Sequence, residues 1–272
     1  MPDRRNWIGE LLLRSPASLR ALRNVPVFGN FIHRLSHQVL PADEKVWAQV
    51  EAGPARGLWF ELNPRTGQAY LRGEPEPAMQ KILAERLHPG MVFYDLGANI
   101  GYFSMLAARI VGTRGRVFSF EPDPKTASRL RKNVARNNLT NVTIVEAGIW
   151  SSSGTARFVA ADPSSPDRGT GRFAVTGGTD HSLRDVMDAL PVQCVALDDF
   201  VANSPPPDAI KCDVEGAEVE ALRGAENLIR TRRPWILCEM HSETSARVTS
   251  EYLTGFGYTL EPVDDNHILA LP

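Results

Sequence analysis

The chain has 272 residues, 43% of them hydrophobic and 23% charged, which is enough to bury one large α/β core with an appendage. A formal net charge of -2, without blocks of like charge, gives no field that would recruit nucleic acid, so nucleic acid is excluded as the expected partner. Three cysteines (Cys194, Cys212, Cys238) without CxxC spacing fit a reducing, cytoplasmic compartment, and no apolar run reaches the ~18 residues that a membrane span needs.

Residues 1–56 read as an N-terminal helical extension. Arg4, Arg5, Arg14, Arg20, Arg23 and Arg34 are interleaved with Trp7, Ile8, Leu11, Leu12, Phe28 and Phe31. A basic amphipathic segment of this kind packs on its own domain or makes peripheral contact with a membrane. Residues 57–272 read as one domain. Its lead-in, 57–90, is expected to hold a β-hairpin turning about residues 64–67 and then an amphipathic helix that ends at Pro89 and Gly90.

Strands and helices then alternate: strand MVFYDLG, helix YFSMLAARIVG, strand RVFSFEP, helix PKTASRLRKNVARNN and strand NVTIVEAG. That rhythm implies right-handed βαβ units and a parallel sheet. The stretch 149–207 interrupts it with Ser, Gly, Asp and Pro clusters and two strand-like runs; it is too long for a plain connection and reads as an insertion, a lid or acceptor region. The rhythm returns with strand DAIKCDV, one helix over EGAEVEALRGAENLIRT, strand PWILCEMH, a helix over roughly 244–254, and a closing pair, YTLEPV and NHILALP, about Asp264, Asp265 and Asn266. The fold class is therefore α/β, a Rossmann-like sheet that is mostly parallel with a terminal antiparallel hairpin. This is the arrangement of class I S-adenosylmethionine-dependent methyltransferases rather than of nicotinamide dehydrogenases.

The turn after the first of these strands is Gly97-Ala98-Asn99-Ile100-Gly101. A dinucleotide fingerprint needs a second glycine, which admits the pyrophosphate, where Asn99 stands. The turn thus suits S-adenosylmethionine, which carries no phosphate. Asp95 at the strand end is expected to face its ammonium group, Glu121 its ribose hydroxyls and Glu146 its adenine amino group. Capping of the following helices is the plainer reading of Asp95 and Glu121.

A second constellation lies on the fourth and fifth strands. IKCDVEGAE places Lys211, Asp213 and Glu215 at alternating positions, and ILCEMH places Glu239 and His241 at the same end of a neighbouring strand. Ionisable groups belong at the carboxyl-end crevice of such a sheet rather than inside it. His241, with a reference pKa near ~6.5, is the expected base for methyl transfer to a hydroxyl. Asp213 and Glu239 either orient His241 or join it in holding a divalent metal. Glu215 otherwise only caps a helix, and Glu218 otherwise only pairs along it.

FYDLGANIGYFS, FSFEPDP, IKCDVEGAEVEALRGAENLI and WILCEMH together resemble the successive motifs of the FkbM family of methyltransferases, from about residue 73 to 271. The resemblance implies a class I methyltransferase fold, S-adenosylmethionine as donor, and transfer to a hydroxyl of a sugar, glycolipid or polyketide-type small molecule. By similarity Asp95, Gly97, Asn99, Gly101 and Glu121 match the donor site, and Asp213, Glu215, Glu239 and His241 the acceptor end. Glu76 falls where such sequences carry an acid, with Pro75 in place of an aromatic neighbour. The alternatives from other classes are a nicotinamide-dependent oxidoreductase and a non-catalytic donor-binding module.

Overall fold

The computed structural model describes residues 45–63, 67–160, 171–173 and 189–272. Expectations for the basic segment up to residue 44, for the turn at Pro64, Arg65 and Thr66, and for most of the 160–190 insertion lie outside those residues. The chain divides into two compact units, Met1–Pro75 with Pro163–Arg168, and Glu76–Asp162 with Gly169–Pro272.

In the first unit, β1 (Val46–Gln49) pairs antiparallel with β2 (Trp59–Leu62), with Val46 opposite Leu62. Alternation along both strands buries Val46, Ala48, Phe60 and Leu62. Two expectations are corrected here. The stretch expected to be purely helical up to residue 56 contains β1, and β2 finds its partner upstream rather than across residues 64–67. Downstream, Gln68–Arg72 form a short helix, α1, because a single turn already buries Leu71. Gly73 ends it in the left-handed region at φ 71°, where a Cβ would lie 2.2 Å from the Ala52 carbonyl oxygen.

The second unit is built on a seven-stranded sheet. We label its elements α2 (Pro77–Arg86), β3 (Val92–Leu96), α3 (Tyr102–Val111), β4 (Arg116–Phe120), α4 (Pro124–Arg136) and β5 (Val142–Val145), continuing with β10 (Ala209–Cys212), β11 (Trp235–Glu239), α8 (Glu243–Gly255), β12 (Thr259–Pro262) and β13 (His267–Leu271). The order is β12-β13-β11-β10-β3-β4-β5. Strands β5, β4, β3, β10 and β11 run parallel, and β13 returns antiparallel between β11 and β12. Continuous apolar runs such as VFYDL and AIKC suit strands covered on both faces. Asp123 caps α4, accepting from the Lys125 amide at 2.7 Å, with Pro124 at the first helical position.

The interrupting stretch forms a second, four-stranded sheet from β6 (Gly148–Ile149), β7 (Gly154–Val159), β8 (Arg172–Phe173) and β9 (Leu190–Val195), followed by the short helix α5 (Leu197–Phe200). Phe158, Val192 and Cys194 share one buried apolar cluster with Tyr94, Phe120 and Ile210. One face of the insertion's described strands thus packs into the core, while the other stays exposed.

The single helix expected after β10 is two, α6 (Glu218–Arg223) and α7 (Glu226–Thr231). They part at Gly224, where a Cβ would sit 2.1 Å from the Trp150 carbonyl oxygen. The Asp198 carboxylate caps the second piece by accepting from the Asn227 and Leu228 amides. Among the described residues no helix is long and apolar enough to cross a membrane.

Candidate active site

In a parallel sheet all strands end on one edge, so β3, β4, β10 and β11 deliver their following residues to a common crevice. At β3 the chain turns through Gly97 (φ 75°), Asn99 (φ 49°) and Gly101 (φ 92°) into α3. Two of these positions have a steric reason for glycine: a Cβ on Gly97 would lie 1.8 Å from the Asp213 carbonyl oxygen, and one on Gly101 2.1 Å from Leu130 Cδ1. The Gly97 and Ala98 amides both donate to the Phe120 carbonyl, which ties the turn to the end of β4.

Glu121 follows that strand end, 7% exposed. Its Oε2 accepts from the Asn99 amide and its Oε1 from the Asp123 amide, both at 2.9 Å. Burial pushes its carboxyl up to about 7, the two amides opposing that shift. Each oxygen keeps a lone pair for a further donor. Glu121 is therefore not a helix cap; Asp123 does that work. Glu146 stands exposed just past β5, paired with Arg131 of α4.

Asp95 is corrected more sharply. Expected to face a ligand's ammonium, it is wholly buried and faces the ammonium of Lys211, its register partner across β3 and β10. Lys211 Nζ, equally buried, lies 3.2 Å from Asp95 Oδ1 and 3.0 Å from Asp213 Oδ2. It also donates to the Gly97 carbonyl oxygen at 3.2 Å. Asp95 Oδ2 accepts from Ser104 Oγ at 2.5 Å, and Ser119 Oγ donates to Ser104 Oγ at 2.7 Å. This chain of polar groups fastens the glycine turn to β10 from beneath.

The acceptor-end residues do meet. His241 Nε2 lies 3.2 Å from Glu215, 3.6 Å from Asp213 and 3.8 Å from Glu239, while Nδ1 lies 3.0 Å from Glu218. Burial lowers the imidazole pKa, but hydrogen bonds and charge from Glu215 and Glu218 outweigh it and push the value up to about 11. The surrounding carboxylates thus favour the imidazolium form of His241, which sets it apart from a free imidazole titrating near ~6.5. Burial raises Asp213, but the Lys211 ammonium more than reverses this and holds it below the ordinary carboxylate range. Burial, reinforced by the charges of Asp213 and Glu76, pushes Glu239 up to about 7.

Glu218 is the residue that sequence reasoning undervalued. Its side chain is fully buried, and it accepts from the Gly216 amide at 2.9 Å and from Ser245 Oγ at 2.8 Å besides facing His241. Glu215 does not cap α6; it sits in a left-handed turn (φ 52°) before Gly216 (φ 93°), and that turn sets its carboxylate beside His241.

His267 opens the last strand of the terminal hairpin. It is 5% exposed, with Nδ1 2.6 Å from Asp264 and Nε2 3.4 Å from Glu76 and 3.9 Å from Glu239. Among the described residues two groups have the donor types for a cation, Asp213–Glu239–His241 and Glu76–Glu239–His267, and within each group the potential ligand atoms lie within 4.8 Å of one another.

The model of the methyltransferase FkbM domain matches residues 95–261. The chain belongs to the FkbM methyltransferase family. Among curated FkbM-like relatives, it is 28% identical over 186 residues to the hexuronic acid methyltransferase AglP of Haloferax volcanii, covering 68% of this chain and 69% of that protein. It is 27% identical over 240 residues to the 31-O-demethyl-FK506 methyltransferase FkbM of Streptomyces tacrolimicus, covering 80% of this chain and 87% of that one. A crystal structure of methyltransferase FkbM from Methylobacillus flagellatus KT superposes at TM-score 0.50 with 20% identity, covering 69% of this chain and 44% of that chain. The chain thus spans less than half the length of that solved FkbM protein, and this likeness speaks for the class I methyltransferase fold alone.

Family membership sets aside a nicotinamide-dependent oxidoreductase and implies S-adenosylmethionine as donor. The residues fit that molecule. Asn99 stands where a pyrophosphate cradle needs glycine, and Glu121 is a buried carboxylate with acceptor capacity beside the turn.

Proposed function

We propose that the protein is an S-adenosylmethionine-dependent O-methyltransferase acting on a hydroxyl of a sugar, glycolipid or polyketide-type small molecule. The supporting observation is the meeting, on one sheet edge, of the glycine turn with Glu121 and of the carboxylate cluster around His241. The name of AglP, a hexuronic acid methyltransferase, supports a sugar-type acceptor, and that of FkbM, a 31-O-demethyl-FK506 methyltransferase, supports transfer to oxygen.

When bound, the donor supplies an electrophilic methyl group whose bond to sulfur breaks as the acceptor oxygen takes it. The chain's own residues perform the remaining tasks. Gly97 and Gly101 let backbone come close enough to seat the donor, and Glu121 accepts hydrogen bonds from the ribose hydroxyls. The carboxylates of Asp213, Glu215 and Glu239 orient the acceptor hydroxyl and receive its proton. His241 is the cation that lets these like charges coexist at one place, fixed from behind by Glu218. Orientation of this kind supplies the larger share of rate, with effective molarities of roughly 10⁵ to 10⁸ M, and a placed proton acceptor adds about 10² to 10⁴.

The test is transfer of labelled methyl from S-adenosylmethionine to uronic acid glycans and macrolide alcohols. Incorporated label should survive mild alkali as an ether, and Asp213→Asn should abolish incorporation. Label released by alkali would mean esterification of a carboxyl instead. Donor binding without transfer to any hydroxylated compound would favour a non-catalytic donor-binding module.

A further inference from the structure

Beside the acceptor groups, and sharing Glu239 with them, the second unit holds an arrangement in which Glu76 and His267 have no part in methyl transfer. Glu76 at the start of α2, Glu239 at the end of β11 and His267 at the start of β13 converge from three elements. His267 has its side chain 94% buried, and its Nδ1 faces Asp264 at 2.6 Å. Its Nε2 and Glu76 Oε2, both buried, face each other at 3.4 Å as a loose ion pair rather than a well-aligned hydrogen bond. Three carboxylates around one buried imidazole need positive charge among them, which either a proton on Nε2 or a bound cation supplies.

We propose that Glu76, Glu239 and His267 form a binding site for one divalent first-row cation of the Mn²⁺ class. Metal–ligand bonds of about 2.0–2.2 Å place neighbouring ligand atoms roughly 3.0–3.6 Å apart. The 3.4 Å from His267 to Glu76 meets that spacing, and the 3.9 Å from His267 to Glu239 needs only a small inward shift of a side chain that is 23% exposed. One imidazole and two carboxylates suit a borderline cation better than Ca²⁺, whose sites are all oxygen. Asp264 supplies the outer carboxylate that fixes the imidazole tautomer, as is usual behind a metal-bound histidine. Glu239 links this place to the acceptor cluster, one oxygen facing His267 and the other His241. Binding at this place does not depend on the donor or the acceptor being correctly assigned.

The experiment is titration of the chelator-treated full chain with MnCl₂ alone, reading free Mn²⁺ by its electron paramagnetic resonance signal. Saturable uptake of a single ion per chain is expected. Glu76→Gln and His267→Gln should each weaken it more than about tenfold, and Asp264→Asn by about 10- to 100-fold through lost orientation of the imidazole. Asp213→Asn should weaken uptake less than Glu76→Gln or His267→Gln does, since Asp213 neighbours Glu239 but is not itself a proposed ligand. Circular dichroism accompanies each variant. Should His267→Gln fail to fold, Glu76→Gln, which alters a single partly exposed side chain, decides the matter. Absence of saturable uptake overturns the proposal. So does uptake that Asp213→Asn abolishes, because the ion would then lie at the His241 cluster.

Discussion

Replacing Lys211 with Met tests the buried polar chain beneath the glycine turn. The native ammonium stands 3.2 Å from Asp95 and 3.0 Å from Asp213, so the triad carries a net charge of -1. Methionine fills the same space but leaves both carboxylates without their cation. Asp95 has no exposure to water through which to recover solvation, whereas Asp213 is 19% exposed and keeps His241 at 3.6 Å. The loss therefore falls mainly on Asp95 and belongs with broken buried ion pairs, about 3–5 kcal/mol. With a urea dependence of about 2–3 kcal/mol per molar, the unfolding midpoint should fall by roughly 1–2 M. Adding Asp95→Asn to the same chain should restore about half of that loss or more. Urea titration followed by tryptophan fluorescence at pH 7.5 measures all three proteins. A midpoint for Lys211→Met within about 0.3 M of the parent would refute the reasoning, since the ammonium would then not be paying for buried charge.

Three further outcomes follow from the same geometry. Folding favours the protonated form of Glu121, whose carboxyl sits at about 7, so its stabilising contribution is complete below the ordinary ~4.3 and is lost as pH rises through 7. Glu121→Gln should thus gain stability relative to the parent between pH 5 and 8, by on the order of 3 kcal/mol, while losing donor affinity; a difference between the two denaturation curves that does not change with pH would contradict this. Gly97→Ala meets both a φ of 75° and the Asp213 carbonyl, so it should lower the unfolding midpoint and weaken donor binding more than about tenfold; unaltered binding would mean that the turn is not in contact with the donor. Glu218→Gln removes one of the charges that hold His241 protonated, and the imidazole signal in a nuclear magnetic resonance titration should move to lower pH; a parent imidazole titrating near ~6.5 would show the cluster to be open to water.

Much of the sheet was legible because its signals are local. VFYDL, RVFSF and AIKC are mostly apolar runs bounded by turn residues, and the interval from VFYDL to RVFSF fits a single helix. The turn at residues 64–67 misled because QAYLR satisfies both an alternating pattern and one helical turn, and the choice is made by β1, a strand that composition did not mark. Gly224 broke an expected helix for a reason held in another element, the Trp150 carbonyl.

The acceptor cluster was legible as a set of residue types at strand ends. Its electrostatics were not, because Glu218 enters from a helix and, with Glu215, raises the His241 pKa. His267 escaped notice for the same physical reason: Glu76, on which its proposed role depends, is distant in sequence and is brought beside it only when α2 and β13 come together.

The central claim is that the turn at Gly97, with Glu121 beside it, seats a sulfonium nucleoside. Calorimetric titration of the full chain with S-adenosylhomocysteine addresses it most directly, with Glu121→Gln and NAD as comparisons. The account predicts a single saturable site for S-adenosylhomocysteine, weakened more than about tenfold by Glu121→Gln, and no heat with NAD. Absence of heat with S-adenosylhomocysteine, or binding that Glu121→Gln leaves untouched, would contradict it.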